Sequence, residues 1–207
     1  MKLKNSSLVA YSLIIITVFV AILTKMGKGA FTSYFLIINP ADALLPAQQW
    51  LKEPWRLVTP MLIHYGFFHI FFNMLWLRDA GSLIESKRGS WFLLILVFLL
   101  AAISNYLQFH LTGHHNFGGM SGVVYGLFGY IWMQGKHNPH FGFEVDKNTV
   151  IMMLVWFFVC LTGWLGNVAN WAHGGGLVAG MVFARIEVEW MRWGKNRAAK
   201  KIVKTLH

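Results

Sequence analysis

The sequence predicts an all-α membrane protein, a bundle of six membrane-spanning helices, and three observations carry that prediction. Of its 207 residues, 56% are hydrophobic and only 13% charged, with a mean hydropathy of +0.50; this composition is foreign to soluble domains of such a length. Six apolar segments, 8–24, 61–80, 90–110, 120–135, 148–165 and 171–191, approach the roughly 20 residues a helix needs to cross the hydrocarbon core. The cations are lopsided: with six crossings, 14 of the 18 Lys and Arg fall on the side of the termini, and only Lys25, Lys28, Lys52 and Arg56 on the other. Positive charge is retained in the cytoplasm, which places both termini there. Residues 1–207 are expected to form one membrane domain with no soluble module.

The first segment follows Lys2 and Lys4 and has the look of a secretion signal. No small-x-small cleavage site follows it, however, and Lys25-Met26-Gly27-Lys28 forms a far flank, so a retained span is expected. A long first loop, about 25–60, carries Trp50, Pro54, Trp55, Arg56 and Pro60; it is too polar to span and too aromatic for a plain linker, and belongs in the interfacial layer. In the second segment His69 and Asn73 are four residues apart and share a helix face, with His64 near the helix mouth. Three polar groups on a Phe-rich helix serve either as interhelical glue or as chemistry, and the segment alone does not choose. The third segment ends at His110, with His114 and His115 just beyond; loop polarity accounts for them better than a metal site.

In the fourth segment Gly118, Gly122 and Gly126 recur every four residues, with Gly119 and Gly129 beside them, a small-xxx-small pattern that lets helix backbones approach closely. Ser121 stands in the first turn, where unpaired amides and the positive end of the helix dipole favour a developing anion. Tyr125 lies one turn on, on the same face. The fifth segment holds Cys160, the single cysteine, so there is no disulfide framework. In the sixth, Gly176 and Gly180 fall three and seven residues after His173 and share its face. The tail, about 192–207, continues an alternation of Trp and cations suited to anionic headgroups. Although the net charge is +10, no nucleic-acid-binding motif accompanies it, and nucleic acid is not an expected partner.

Ser121 and His173, each backed by a small-residue face, have the makings of a nucleophile and its general base if the fourth and sixth helices pack together. The eight carboxylates, Asp42, Glu53, Asp79, Glu85, Glu144, Asp146, Glu187 and Glu189, fall in loops or near segment ends. No buried acid is therefore expected beside His173, and a Ser-His dyad follows, with the Tyr125 ring bracing the imidazole in place of a buried anion. Competing chemistries lack their residues: there is no His-Glu-x-x-His for zinc and no pair of intramembrane aspartates. A transporter would need duplicated halves and an ionic pathway, and neither is visible. No metal or cofactor is expected.

Trp55-Arg56 in the first loop, His64 with His69 and Asn73, Gly119-Met120-Ser121-Gly122, and Ala172-His173 with Gly176 and Gly180 stand in an order and spacing that resembles the rhomboid intramembrane serine proteases. The resemblance extends over about residues 50–185 and implies a six-span bacterial-type core without an added N-terminal soluble domain. It implies that Ser121 is the nucleophile and His173 the base and then acid. His69, Asn73 and the Ser121 amide match the oxyanion donors, with His64 in the outer position of the same motif; Gly119 belongs to the intact GxSG pattern, and Tyr125 matches the ring stacked on the histidine. Trp55 and Arg56 match a structural, lipid-facing motif. The implied activity is endoproteolysis of transmembrane substrates by a multi-pass inner-membrane protein, with Trp156-Phe157-Phe158 and the loop 163–170 as lateral gate and cap. The alternative is a catalytically silent rhomboid-like protein that binds membrane proteins. No feature of the sequence encodes an oligomeric state.

Overall fold

The computed structural model describes residues 7–164 and 166–205, the side chains of Lys195, Asn196 and residues 198–205 excepted. Lys2 and Lys4, and the side chains of Lys195, Lys200, Lys201 and Lys204, all counted in the charge asymmetry, lie outside the described residues. The longer regular elements among those residues are α-helices: α1 (Leu8–Leu23), α2 (Pro46–Lys52), α3 (Phe67–Trp76), α4 (Ser82–Arg88), α5 (Ser90–Thr112), α6 (Ser121–His137), α7 (Lys147–Leu161) and α8 (Asn170–Thr205). The six apolar segments correspond to α1, α3 with the turn Leu77–Gly81 that follows it, α5, α6, α7 and α8. Among the described residues one helix, α5, is both long and apolar enough to cross a membrane on those criteria alone; α1 and α7 are apolar but shorter.

Three segment boundaries differ from the sequence expectation, one for a tertiary reason and two for local ones. The second helix starts at Phe67 rather than near 61. The carbonyl of Pro60 accepts from both the Ile63 and Gly119 amides, at 3.1 and 3.0 Å, so this stretch is committed to the loop before α6 and forms only a 3-10 turn at Thr59–Leu62. From Trp76 the chain continues through a π turn, Leu77–Gly81, straight into α4. α7 stops at Leu161 rather than near 165, because the amide and hydroxyl of Thr162 both turn back onto the Val159 carbonyl and tighten the last turn. α8 runs on through the tail to Thr205, where Arg197-Ala198-Ala199-Lys200-Lys201 supplies strong helix formers. Its 36 residues measure about 54 Å at 1.5 Å per residue, well beyond a hydrocarbon core of about 30 Å.

The first loop is folded. Arg56 is buried, donates to the carbonyls of Ser33 and Leu36 and pairs with Glu53. Trp50 donates to the Ile37 carbonyl at 2.8 Å and sets its ring edge-on to Tyr106 and Phe109 of α5. The loop is thereby fastened to the bundle while Trp55 stays exposed.

At the centre stands α6, buried without interruption over ten residues, Gly122 to Ile131. α8 lies against it so closely that a Cβ on Gly176 would overlap the Gly122 carbonyl oxygen, and one on Gly180 the Gly126 carbonyl oxygen. Lipid offers no hydrophobic drive to helix association, and contact of this kind is the source of cohesion. The Cα hydrogens of Gly122 and Gly126 face another way, toward Ser104 and Leu100 of α5. One small-residue stripe therefore seats two neighbours.

The end of α6 remote from Ser121 is tied by polar groups. Glu187 of α8 accepts from the Tyr130 hydroxyl at 2.7 Å and the Gln134 amide at 2.9 Å, and pairs with Arg88. Glu85, fully buried, accepts the Val9 and Ala10 amides at the start of α1 and the Ser90 hydroxyl. Glu85 thereby satisfies amides that would otherwise be stranded at a helix end, and Glu187 satisfies polar side chains on the buried face of α6.

Candidate active site

The loop before α6 is built around Gly119, whose φ of +124° lies where L side chains are strained. A Cβ there would also stand 2.6 Å from Nε2 of His69 and 3.6 Å from Oγ of Ser121. The bare backbone at 119 is what lets the His69 ring and the Ser121 hydroxyl share one side of the loop. Ser121 then opens α6, with the amides of the first turn free of intrahelical partners and the helix dipole behind them.

His173 enters from the first turn of α8, its amide making a bond of 3.2 Å to the Ala169 carbonyl. Across the glycine seam its Nε2 lies 2.7 Å from Ser121 Oγ, a hydrogen bond between residues 52 apart in the chain. The imidazole is 4% exposed. Tyr125 covers it with ring centroids 4.9 Å apart at 33°, and is itself held by its hydroxyl on the Met153 carbonyl at 3.2 Å and by the edge of Phe157. Nδ1 of His173 has no hydrogen-bond partner among the described residues. The pair is thus a dyad in geometry, with an apolar brace where a triad would place an acid.

His64, His69 and Asn73 form a second cluster beside Ser121. His64 precedes α3 and is fully buried; its Nδ1 faces the Leu62 carbonyl at 3.2 Å, while its Nε2 faces two donors, Asn73 Nδ2 at 3.3 Å and the Met120 amide at 3.4 Å. A carbonyl at one nitrogen and two N–H groups at the other select the neutral ring with its proton on Nδ1. His64 therefore holds its neighbours in place and has no proton left to offer. Asn73 uses its amide protons on His64 and on the His69 carbonyl, the latter at 3.0 Å. Donating to a third group costs it the longer His64 contact. His69, its ring 4.9 Å from that of His64, directs Nε2 toward the loop at Gly119.

All seven residues singled out by sequence, Gly119, Ser121, Tyr125, His173, His64, His69 and Asn73, lie in this one region. Sequence reasoning passed over Gln108, whose side-chain oxygen accepts the Ala172 amide at 3.1 Å, and its α5 neighbours Ser104 and Asn105. The signal was present: three polar residues at i, i+1 and i+4 interrupt an otherwise apolar segment. Among the described residues no group of three His, Cys, Asp or Glu side chains is arranged to hold a metal; His110 stacks on Tyr106 instead, with centroids 5.5 Å apart at 9°.

Comparison with known proteins adds an independent finding. Residues 51–190 match the family model of the Rhomboid domain. The chain is 36% identical over 136 residues to the rhomboid protease GlpG of Salmonella paratyphi A, an alignment covering 65% of this chain and 49% of the relative. The rhomboid protease GlpG proteins of Salmonella newport and Salmonella typhi match with the same identity and coverage. The chain thus aligns with about half the length of the curated relatives it matches.

Proposed function

The chain belongs to the rhomboid family, and we propose that it is an intramembrane serine endopeptidase that cleaves transmembrane segments of other membrane proteins through a Ser121–His173 dyad. The observation that carries this reading is the 2.7 Å contact between Ser121 Oγ and His173 Nε2, made at a helix N-terminus with His69 alongside. In this proposal six spans place both termini in the cytoplasm and residues 1–207 act as one membrane domain of the bacterial inner membrane. No cofactor enters the reaction.

Ser121 Oγ bonds to the scissile carbonyl carbon while His173 Nε2 takes its proton, Nδ1 keeping the other. The oxyanion is received by the Ser121 amide and by His69 and Asn73, each preorganised donor worth about 10²–10³ in rate. On collapse the C–N bond breaks and His173 returns the proton to the leaving amine. An acyl ester remains on Ser121. Water then attacks it with His173 again as base, releasing the carboxylate product and restoring the hydroxyl. The substrate enters sideways past α7 and unwinds first, since a hydrogen-bonded helix conceals its peptide bonds. Segments rich in poor helix formers are the favoured class.

The test is cleavage in liposomes of a reporter whose transmembrane segment carries such residues. The wild-type chain cuts it, and Ser121→Ala and His173→Ala each reduce cleavage by at least about 10³-fold with the thermal transition retained. Full cleavage by Ser121→Ala rejects the nucleophile. A wild-type chain that binds the reporter and never cuts it is the silent binding protein.

A further inference from the structure

From the α5 side chains packed behind the dyad we infer that Gln108 is a positioning residue for the base: it caps the first turn of α8 from a neighbouring helix and so sets where His173 stands. The inference rests on the protease reading for its kinetic consequence and on geometry alone for its structural one.

The first turn of any helix leaves amides without intrahelical partners. In α8 the Ala172 amide is one of these, and no side chain of its own segment serves it; Gln108 Oε1, 64 residues earlier, accepts it at 3.1 Å. Gln108, Ala172 and His173 are 7%, 4% and 4% exposed, so water is a poor substitute at this place. The carbonyl of the same residue is wedged from the other side: a Cβ on Gly122 would lie 3.2 Å from the Ala172 oxygen and 2.7 Å from Oγ of Ser104. Ser104 and Gln108 are one turn apart on the same face of α5. A single face of α5 therefore bears on both turns that matter, Ser121-Gly122 through Ser104 and Ala172-His173 through Gln108. Asn105 extends the same helix to the Leu57 carbonyl at 2.9 Å, and so to the loop that carries Pro60.

The consequence follows from what His173 lacks. With no hydrogen-bond partner on Nδ1 among the described residues, its ring is placed by the Tyr125 face and by its own backbone. In a triad an acid orients the imidazole directly; in this dyad the orientation is delivered one residue upstream, through the backbone that Gln108 holds.

The experiment compares Gln108→Met, which keeps the shape and removes the acceptor, with Gln108→Glu, which keeps an oxygen at the same reach. We expect Gln108→Met to lower kcat about 10- to 100-fold, the range of a misplacement near 1 Å, with KM within twofold, and Gln108→Glu to stay within about threefold of wild type. In parallel, deuterium exchange over residues 169–174 in nanodiscs should quicken at least about tenfold in Gln108→Met and not in Gln108→Glu, as an uncapped first turn opens. Unchanged kcat in Gln108→Met, equal loss in both variants, or a change confined to KM overturns the kinetic claim. Unchanged exchange in Gln108→Met overturns the cap itself. Should the wild-type chain fail to cleave at all, the protease reading falls while the exchange comparison still decides whether Gln108 holds this turn.

Discussion

α6 and α7 are consecutive in the chain and opposite in packing. α6 buries ten residues in succession, whereas α7 buries only Met153 and Cys160 of its 15 and leaves Ile151, Met152, Val155, Trp156, Phe158 and Leu161 exposed. The cause is side-chain size. Glycine at 122, 126, 176 and 180 brings the backbones of α6 and α8 into contact, while α7 meets the bundle through aromatic rings, Phe157 edge-on to Tyr125 and Trp156 tilted against Phe72. Moving an apolar helix sideways into lipid exchanges one apolar surface for another and carries little penalty. Ser121 and His173 therefore sit on the tightly packed seam, beside a helix packed far more loosely. The proposed activity, with a helical substrate entering from the side, would draw on both properties.

The largest effect is expected at the seam. In Gly176→Ala the new methyl meets the Gly122 carbonyl, which is backbone and cannot rotate away; α8 must lift, and His173 lifts with it. Overpacking of a core costs about 1–3 kcal/mol, and a shift near 1 Å between reacting groups costs about 10² in rate. Thermal denaturation in detergent should show a lowered midpoint, and reporter cleavage a fall of at least about 100-fold. A variant that keeps the wild-type rate would show that the seam yields, and the contrast with α7 would disappear.

Gly119→Ala comes next and is local. The methyl would stand 2.6 Å from His69 Nε2, on a backbone at φ +124°. The loop strain is worth about 1–3 kcal/mol, and displacing His69, an oxyanion donor in the proposed mechanism, should lower kcat by about 10²-fold, with KM within twofold and α6 intact. A change in KM alone would mean that His69 contacts substrate rather than the developing anion.

The seam was legible in the sequence because its signals are local. A serine and a histidine in apolar segments, each followed by small residues at helical spacing, mark the helices that must pack face to face. Much of what escaped depends on a distant acceptor. The late start of α3 follows from the Pro60 carbonyl being claimed by Gly119, 59 residues on, and no periodicity within 61–66 encodes that. Glu85 reads as an acid at a span end, yet it accepts the amides of Val9 and Ala10, more than 70 residues earlier in the chain. The family resemblance puts His64 in the outer position of the motif of His69 and Asn73 with no direction to its hydrogen bonds; two N–H groups converging on its Nε2 make it an acceptor there. Residue types announce capacity, and only the fold assigns direction.

On α7 the expected sign reverses. Trp156 is half exposed and touches Phe72 at 6.4 Å between centroids, so Trp156→Ala removes an aromatic pair worth about 0.5–1.5 kcal/mol from the contact that closes α7 against α3. If substrate enters by α7 opening from α3, as proposed, this contact is lost on opening, and the cleavage rate should be unchanged or raised, up to about tenfold where opening limits it, while the thermal midpoint falls slightly. A loss beyond about threefold, below the tenfold that 1.36 kcal/mol brings, would mean that α7 helps to bind substrate and is more than a cover.

The smallest effect tests whether α7 frays independently of the seam. Asp146 caps its N-terminus, accepting the Thr149 amide at 2.9 Å and the Thr149 hydroxyl at 2.5 Å. These hydrogen bonds hold its carboxyl below the usual aspartate value. A carboxyl lowered on folding contributes stability that is complete above its unfolded pKa and is lost as pH falls through the folded one; the cap is whole at neutral pH and fails only in acid. Asp146→Ala should raise deuterium exchange over residues 147–151 a few-fold at pH 7 and leave Gly122–Ile131 unchanged. Acidifying the wild-type chain should reproduce that pattern, and acid should add nothing to the variant. If α6 loosened along with α7, the two helices would be one cooperative unit, and a substrate could not pass one without disturbing the other.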